Sequence, residues 1–161
     1  MGTVPRTNRS PGLLAGRPLH ETITKFGYPD TLVRSYQHWV VLLRPQQATL
    51  GALILACTES VEAFSDVSAA AMSELSTVIS NIESTLSARF DYQKINYLML
   101  MMVDPHVHFH VLPRYAGPTD FSGVTFLDPG WPGPPQIGSA TEIDGDGFER
   151  LRQELIAIWP K

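Results

Sequence analysis

The chain has 161 residues, of which 43% are hydrophobic and 17% charged, with a formal net charge of −4 and a single cysteine, Cys57. This is the size of one domain, large enough to bury about two-thirds of the surface its unfolded form exposes. The negative charge argues against a nucleic-acid backbone as partner, one cysteine excludes an intrachain disulfide, and no apolar run approaches a membrane span.

Residues 1–20 are rich in Pro, Gly, Arg and Asn without a period and read as an N-terminal arm, mobile or wrapped on the surface. The apolar stub Leu13-Leu14-Ala15 is too short for the core of a secretory leader, so a cytoplasmic location is expected. Thr22 to Phe26 reads as a short strand ended by the turn cluster Gly27-Tyr28-Pro29-Asp30, and Leu32 to Tyr36 as the next strand. Trp39–Leu43 and Leu50–Ala56 are apolar throughout, as strands buried on both faces are, and should pair as a hairpin across about six residues. Cys57 is expected to be a core residue rather than a reactive thiol.

From Asp66 to Phe90, Val67, Ala71, Leu75, Val78, Ile82 and Leu86 recur at steps of three and four. The spacing predicts one long amphipathic helix with Ser65 or Asp66 at its start, and Glu74 and Glu83 on its solvated face. Ile95 to Met102 is the next predicted strand, with Met99, Met101 and Met102 assigned to core or subunit contact. Residues 116–145 interleave five prolines with six glycines around Trp131, a length of loop that is often functional. Phe148, Leu151, Leu155 and Ile158 then mark a C-terminal helix, with Asp146 as its cap.

The segment His106-Val107-His108-Phe109-His110-Val111-Leu112 carries the chemistry. Its period of two places the three imidazoles on one face of a strand and the bulky apolar residues on the other. Same-face neighbours lie about 6.6 Å apart, so the outer rings are about 13 Å apart. Zinc needs each nitrogen at about 2.0–2.1 Å, which two neighbours can satisfy and three on one straight strand cannot. A metal reading would therefore use His106 and His108 with a carboxylate such as Asp104. In the other reading one imidazole acts as nucleophile while its neighbours orient it.

The run His-φ-His-φ-His-φ-φ, with φ apolar, resembles the signature of the histidine-triad (HIT) family of nucleotide hydrolases and transferases, and the order of elements over roughly residues 30–115 agrees. The resemblance implies an α+β, HIT-like fold: a five- or six-stranded antiparallel sheet with one long helix and a C-terminal helix. Residues 21–115 would form the catalytic core, and 116–161 a Pro/Gly-rich loop and helix of the same domain. It also implies attack by His108 on the α-phosphorus of a nucleotide derivative, with His110 near the bridging oxygen and His106 in support. No metal or other cofactor is needed for that attack. Asn96, Arg114 and Trp131 are the substrate-binding candidates: Asn96 for phosphate or ribose, Arg114 for phosphate, and Trp131 as a base-stacking or lid residue or else a loop anchor. The partners implied are a small nucleotide substrate and a second copy of the chain. The sequence departs from the pattern in two places. Ala52, after Leu50-Gly51, stands where many members have a further histidine, and the turn Met101-Met102-Val103-Asp104-Pro105 holds no amide or hydroxyl side chain for a phosphate. Those departures motivate a second reading, a nucleotide-binding module with little turnover.

Overall fold

A computed structural model describes residues 13–14 and 16–161. In chain order the elements are β1 (Leu13–Leu14), β2 (Arg17–Pro18), α1 (Glu21–Lys25), β3 (Leu32–Ser35), β4 (Trp39–Leu43), β5 (Leu53–Cys57), a 3-10 turn at Phe64–Asp66, α2 (Ala69–Arg89), β6 (Lys94–Leu98), β7 (His108–Arg114), β8 (Thr119–Phe121), β9 (Val124–Phe126) and α3 (Gly145–Ile158). Five strands form one antiparallel sheet in the order β3-β4-β5-β7-β6. The all-apolar β4 and β5 lie inside it, every residue of both fully buried. This is the five-stranded form of the α+β architecture expected from the triad resemblance.

Because side chains alternate across a pleat, each inner strand serves two layers. Trp39, Val41 and Leu43 of β4, Leu53 and Leu55 of β5, and Val111 of β7 face α2, whose stripe Ala71, Leu75, Val78, Ile82 and Leu86 is the one read from the sequence. Full burial of each large aliphatic residue there is worth roughly 1.5–3 kcal/mol. The opposite face carries Val40, Leu42, Ile54 and Ala56, and the N-terminal segment closes over it with Leu14, Ile23, Leu19 and Phe26.

Several boundaries differ from the sequence reading. Thr22 to Phe26 is not a strand. Glu21–Lys25 forms one turn and a half of helix, ended by Gly27 at φ +92°, because burial of Thr22 and Ile23 against the sheet outweighs their β preference. The connection between β4 and β5 runs to nine residues, 44–52, because β5 begins at Leu53. The long helix starts later than predicted, and Ser68 caps it by accepting from the Ala71 N–H. Glu74 and Glu83 are not simply solvated: Glu74 accepts from the Gln37 and His38 N–H groups and Glu83 from the Tyr97 hydroxyl. Strand β6 stops at Leu98, leaving Met102 on an exposed turn. The stretch 116–145 is not all loop. Ser122 and Gly123, both at positive φ, turn a small hairpin that buries Phe121 and Phe126 in the main core. Asp144, not Asp146, caps α3. The predicted arm is ordered from Arg17 to His20, and β1 pairs with β2; its remainder, residues 1–12 and Ala15, lies outside the described residues.

Candidate functional site

Strand β7 pairs with β5 through Ile54↔His110 and Ala56↔His108, and with β6 through Leu98↔His110. His108 and His110 therefore point to the face opposite α2, beside Ile54 and Ala56. Their rings are 5.1 Å apart and meet edge to face. His106 precedes the strand rather than belonging to it. The backbone there is held instead by Val107, whose N–H donates to the Val61 carbonyl and whose own carbonyl accepts from the Cys57 N–H.

That offset gives His106 a different use. Its carbonyl lies 2.7 Å from His108 Nδ1. A carbonyl can only accept, so Nδ1 carries the proton, and in the neutral ring Nε2 keeps its lone pair. His108 Nε2 is buried and has no hydrogen-bond partner among the described residues. The His106 ring stacks on His20 at 4.1 Å and 11°, and its Nδ1 lies 3.0 Å from the Thr22 hydroxyl. His20 in turn donates from Nε2 to the Cys57 carbonyl at 2.7 Å. His20, which the sequence left outside the site, is thus part of its frame.

The site is covered. His108 is 1% exposed and His110 5%. Phe26 lies 5.7 Å from the first ring and 5.8 Å from the second. Phe26 also lines a surface cavity of about 250 Å³, with Lys25, Arg44, Pro45 and Gln46. Phe26 thus touches both that cavity and the imidazoles, neither of which lines the cavity. The central ring, which the sequence reading gives as the nucleophile, is thus closed off from solvent in the fold.

Asn96, Arg114 and Trp131 do come together, around a cavity of about 380 Å³ shared with Lys94 and residues 132–134. Arg114 is fully engaged in holding the loop, however. Nε donates to Asp128 Oδ2 at 2.6 Å, one Nη to Asn96 Oδ1 at 2.7 Å, and the other Nη to Asp128 Oδ1 at 3.1 Å and the Gly133 carbonyl at 2.9 Å. Six residues of extended strand separate it from His108, roughly 20 Å. The carboxylate of Asp104 is ion-paired with Lys25. Among the described residues no group of three or more His, Cys, Asp or Glu is placed to hold a metal, so the set His106, His108 and Asp104 is not assembled.

Burial, then the neighbouring Arg44 and His108, push the His110 pKa down to about 4, against a weaker upward pull from Asp104. Burial also lowers that of His20. Between about pH 6.5 and 4 the unfolded chain then binds more protons at His110 than the folded one, so stability rises with pH in that window, and the lowering at His20 acts in the same direction. The urea midpoint should fall as pH is lowered from about 6.5 towards 4, and His110→Gln should flatten the slope. An unchanged slope in that variant would place the titration elsewhere. Cys57, raised to about 11 by burial, is an inert core thiol as expected.

The sequence reading missed His20, Thr22, Phe26 and Arg44. Arg44 had a signal: it directly follows an all-apolar strand, in a stretch with no Asp or Glu from residue 31 to 58. The others reach the site only through contacts distant in sequence.

The model of the HIT domain family matches residues 29–117. Solved structures of similar fold include a histidine triad protein from Bradyrhizobium japonicum (TM-score 0.67, 19% identity, covering 88% of this chain and 97% of that one). Another is a histidine triad protein from Sinorhizobium meliloti 1021 (TM-score 0.68, 18% identity, 86% and 94%). A third is a Zn-bound histidine triad family protein from Mycobacterium smegmatis (TM-score 0.57, 15% identity, 84% and 89%). No curated protein sequence matches the chain. The residues that cover the imidazoles, His20 to Phe26, lie N-terminal to the matched stretch.

Proposed function

Because the chain belongs to the HIT domain family, we propose that it binds a nucleotide derivative and cleaves it through a nucleotidyl-histidine intermediate on His108. The observation that carries this reading is the His106 carbonyl at 2.7 Å from His108 Nδ1, which leaves a buried, unpartnered Nε2 as the attacking atom. Nε2 forms a bond to the α-phosphorus as the phosphorus–leaving-group bond breaks. The leaving group departs with the electron pair of that bond and takes a proton from solvent, while the Nδ1 proton stays on the ring. Water then attacks the same phosphorus and gives up a proton to solvent, the P–N bond breaks, and the neutral imidazole is restored. His110 faces the same space and serves the bridging oxygen as a neutral hydrogen-bond donor, since its lowered pKa keeps it uncharged near pH 7. His106 positions His108 through its carbonyl. Suitable substrates are dinucleoside polyphosphates, nucleoside phosphoramidates or adenylylated compounds. The cavity at Asn96, Arg114 and Trp131 is within reach only of the far end of a long substrate. A second copy pairing along the open edge of β6 would give a homodimer, and a cytoplasmic location fits these substrates; no helix among the described residues is long and apolar enough to cross a membrane.

The test is to trap the adduct with an adenylyl phosphoramidate and map it by mass spectrometry. An acid-labile, base-stable adduct on His108 is expected. Nucleotide binding without any adduct would favour the module with little turnover, a reading that the covering of His108 supports.

Access requires Phe26 to move. Phe26→Ala should raise the rate at which a histidine-selective acylating reagent labels His108, by about tenfold for each 1.4 kcal/mol by which opening is eased, and should raise kcat/KM in the same direction. Unchanged labelling would mean that substrate enters by another route.

A further inference from the structure

Among the described residues the fold buries two arginines, Arg44 and Arg114, and it treats them differently. Arg114 is clamped by Asp128. Arg44, 7% exposed, takes part in none of the ion pairs among the described residues. Its Nη atoms donate only to the carbonyls of Gln46, at 2.5 Å, and Ile137, at 3.0 Å, and its Nε is buried without a partner. Two carbonyls brace a guanidinium but bring no charge to balance it. A buried, unbalanced cation costs several kcal/mol, which an arriving anion would offset.

The geometry says where that anion would sit. Arg44 continues β4 beyond Leu43, its N–H donating to the Ala52 carbonyl at 3.0 Å. By alternation it shares the face of Val40 and Leu42, the face onto which His108 and His110 project from β7. It borders the cavity that Phe26 also lines, and its charge is close enough to be felt at His110. Lys25, on the same rim, is already paired with Asp104, so Arg44 is the unspent charge of the cavity.

We propose that this cavity is an anion subsite in which Arg44 binds a second phosphate group of the substrate, one that His108 does not attack. The proposal rests on the reading of His108 as nucleophile and narrows its substrate class: a compound with at least two phosphates is favoured over a phosphoramidate with one. The second phosphate can belong to a phosphoanhydride chain or be a monoester on the ribose. In either case Arg44 offers the same recognition, a planar guanidinium whose charge and remaining Nη–H groups meet phosphoryl oxygens.

Two measurements test it. The first is calorimetric binding of inorganic pyrophosphate to the full chain, to His108→Asn and to Arg44→Gln. Binding is expected in the native and His108→Asn proteins and weaker by about thirtyfold or more in Arg44→Gln, as for loss of a charge-assisted pair. Should Arg44→Gln fail to fold, Arg44→Lys is read in its place: weakening of about tenfold supports the proposal and unchanged affinity overturns it. Failure of the native protein to bind pyrophosphate, or equal binding in Arg44→Gln, also overturns it. The second measurement is the ratio of kcat/KM for two-phosphate over one-phosphate substrates. Its arms are a dinucleoside polyphosphate and a 3′-phosphorylated adenylyl phosphoramidate, each compared with the plain phosphoramidate. Arg44→Gln should lower the ratio about tenfold in the arm whose phosphate occupies the cavity, and that arm identifies the source; a ratio unchanged in both arms overturns the proposal. Pyrophosphate binding needs no turnover. If it depends on Arg44 while no substrate labels His108, the nucleophile reading falls and the subsite stands. If His108 is labelled while pyrophosphate binding ignores Arg44, the reverse holds.

Discussion

His108→Asn should abolish turnover of any nucleotide derivative the native protein cleaves, with kcat lower by more than about 10⁴-fold, the scale seen when a covalent nucleophile is removed. Asparagine preserves the hydrogen bond to the His106 carbonyl and most of the buried volume, so the fold should survive. It offers no nucleophilic lone pair, so the trapped adduct should vanish while nucleotide binding stays within a few-fold. Single-turnover quench with intact-mass detection separates those quantities. Full activity in His108→Asn would end the covalent reading. The burial of His108 at 1% exposure makes the comparison informative, because chemistry there needs a dry, pre-formed pocket and an opening step.

Asp128→Ala should destabilise the chain by about 3–5 kcal/mol, the cost of leaving a buried cation without its partner. The Asp128 side chain is 1% exposed and that of Arg114 5%. The carboxylate accepts from Arg114 Nε and Nη and from the Tyr115 N–H at 3.2 Å. Three donors lose their acceptor together, and Arg114 is left with Asn96 and the Gly133 carbonyl. Against a typical total of about 5–15 kcal/mol, the variant should show a sharply lower urea midpoint with little change in slope. A loss under about 1 kcal/mol would show that solvent reaches the pair. Replacing Arg114 with Met along with Asp128→Ala should recover part of the loss, since no buried charge then remains.

The sheet and the long helix were legible because their signals are local and periodic. The alternation from His106 to Leu112 located the β7 strand, the uniform apolarity of Trp39–Leu43 and Leu50–Ala56 located the inner strands β4 and β5, and the stripe from Ala71 to Leu86 located α2. The departures have physical causes. Glu-Thr-Ile-Thr-Lys has a strand's composition but is held as a helix by packing on the far side of the sheet. His106 keeps the sequence period yet lies outside the ladder, because Val107 bonds to Val61 and Cys57 before β7 begins. Arg114 has the residue type of a phosphate ligand but is engaged by Asp128, fourteen residues on, and no local pattern announces that pairing. The Ser122-Gly123 hairpin carried a turn signal that the surrounding prolines and glycines masked.

The family likeness begins at residue 29, but the folded unit does not. Leu14, Leu19, Ile23 and Phe26 pack over Val40, Leu42, Ile54 and Ala56, and Thr22 reaches His106 across 84 positions. A fragment cut at the homology boundary would expose an oily sheet face to water and invite self-association. The matched stretch and the segment before it therefore share one apolar layer, and a mutation in that segment can reach both solubility and the setting of His106.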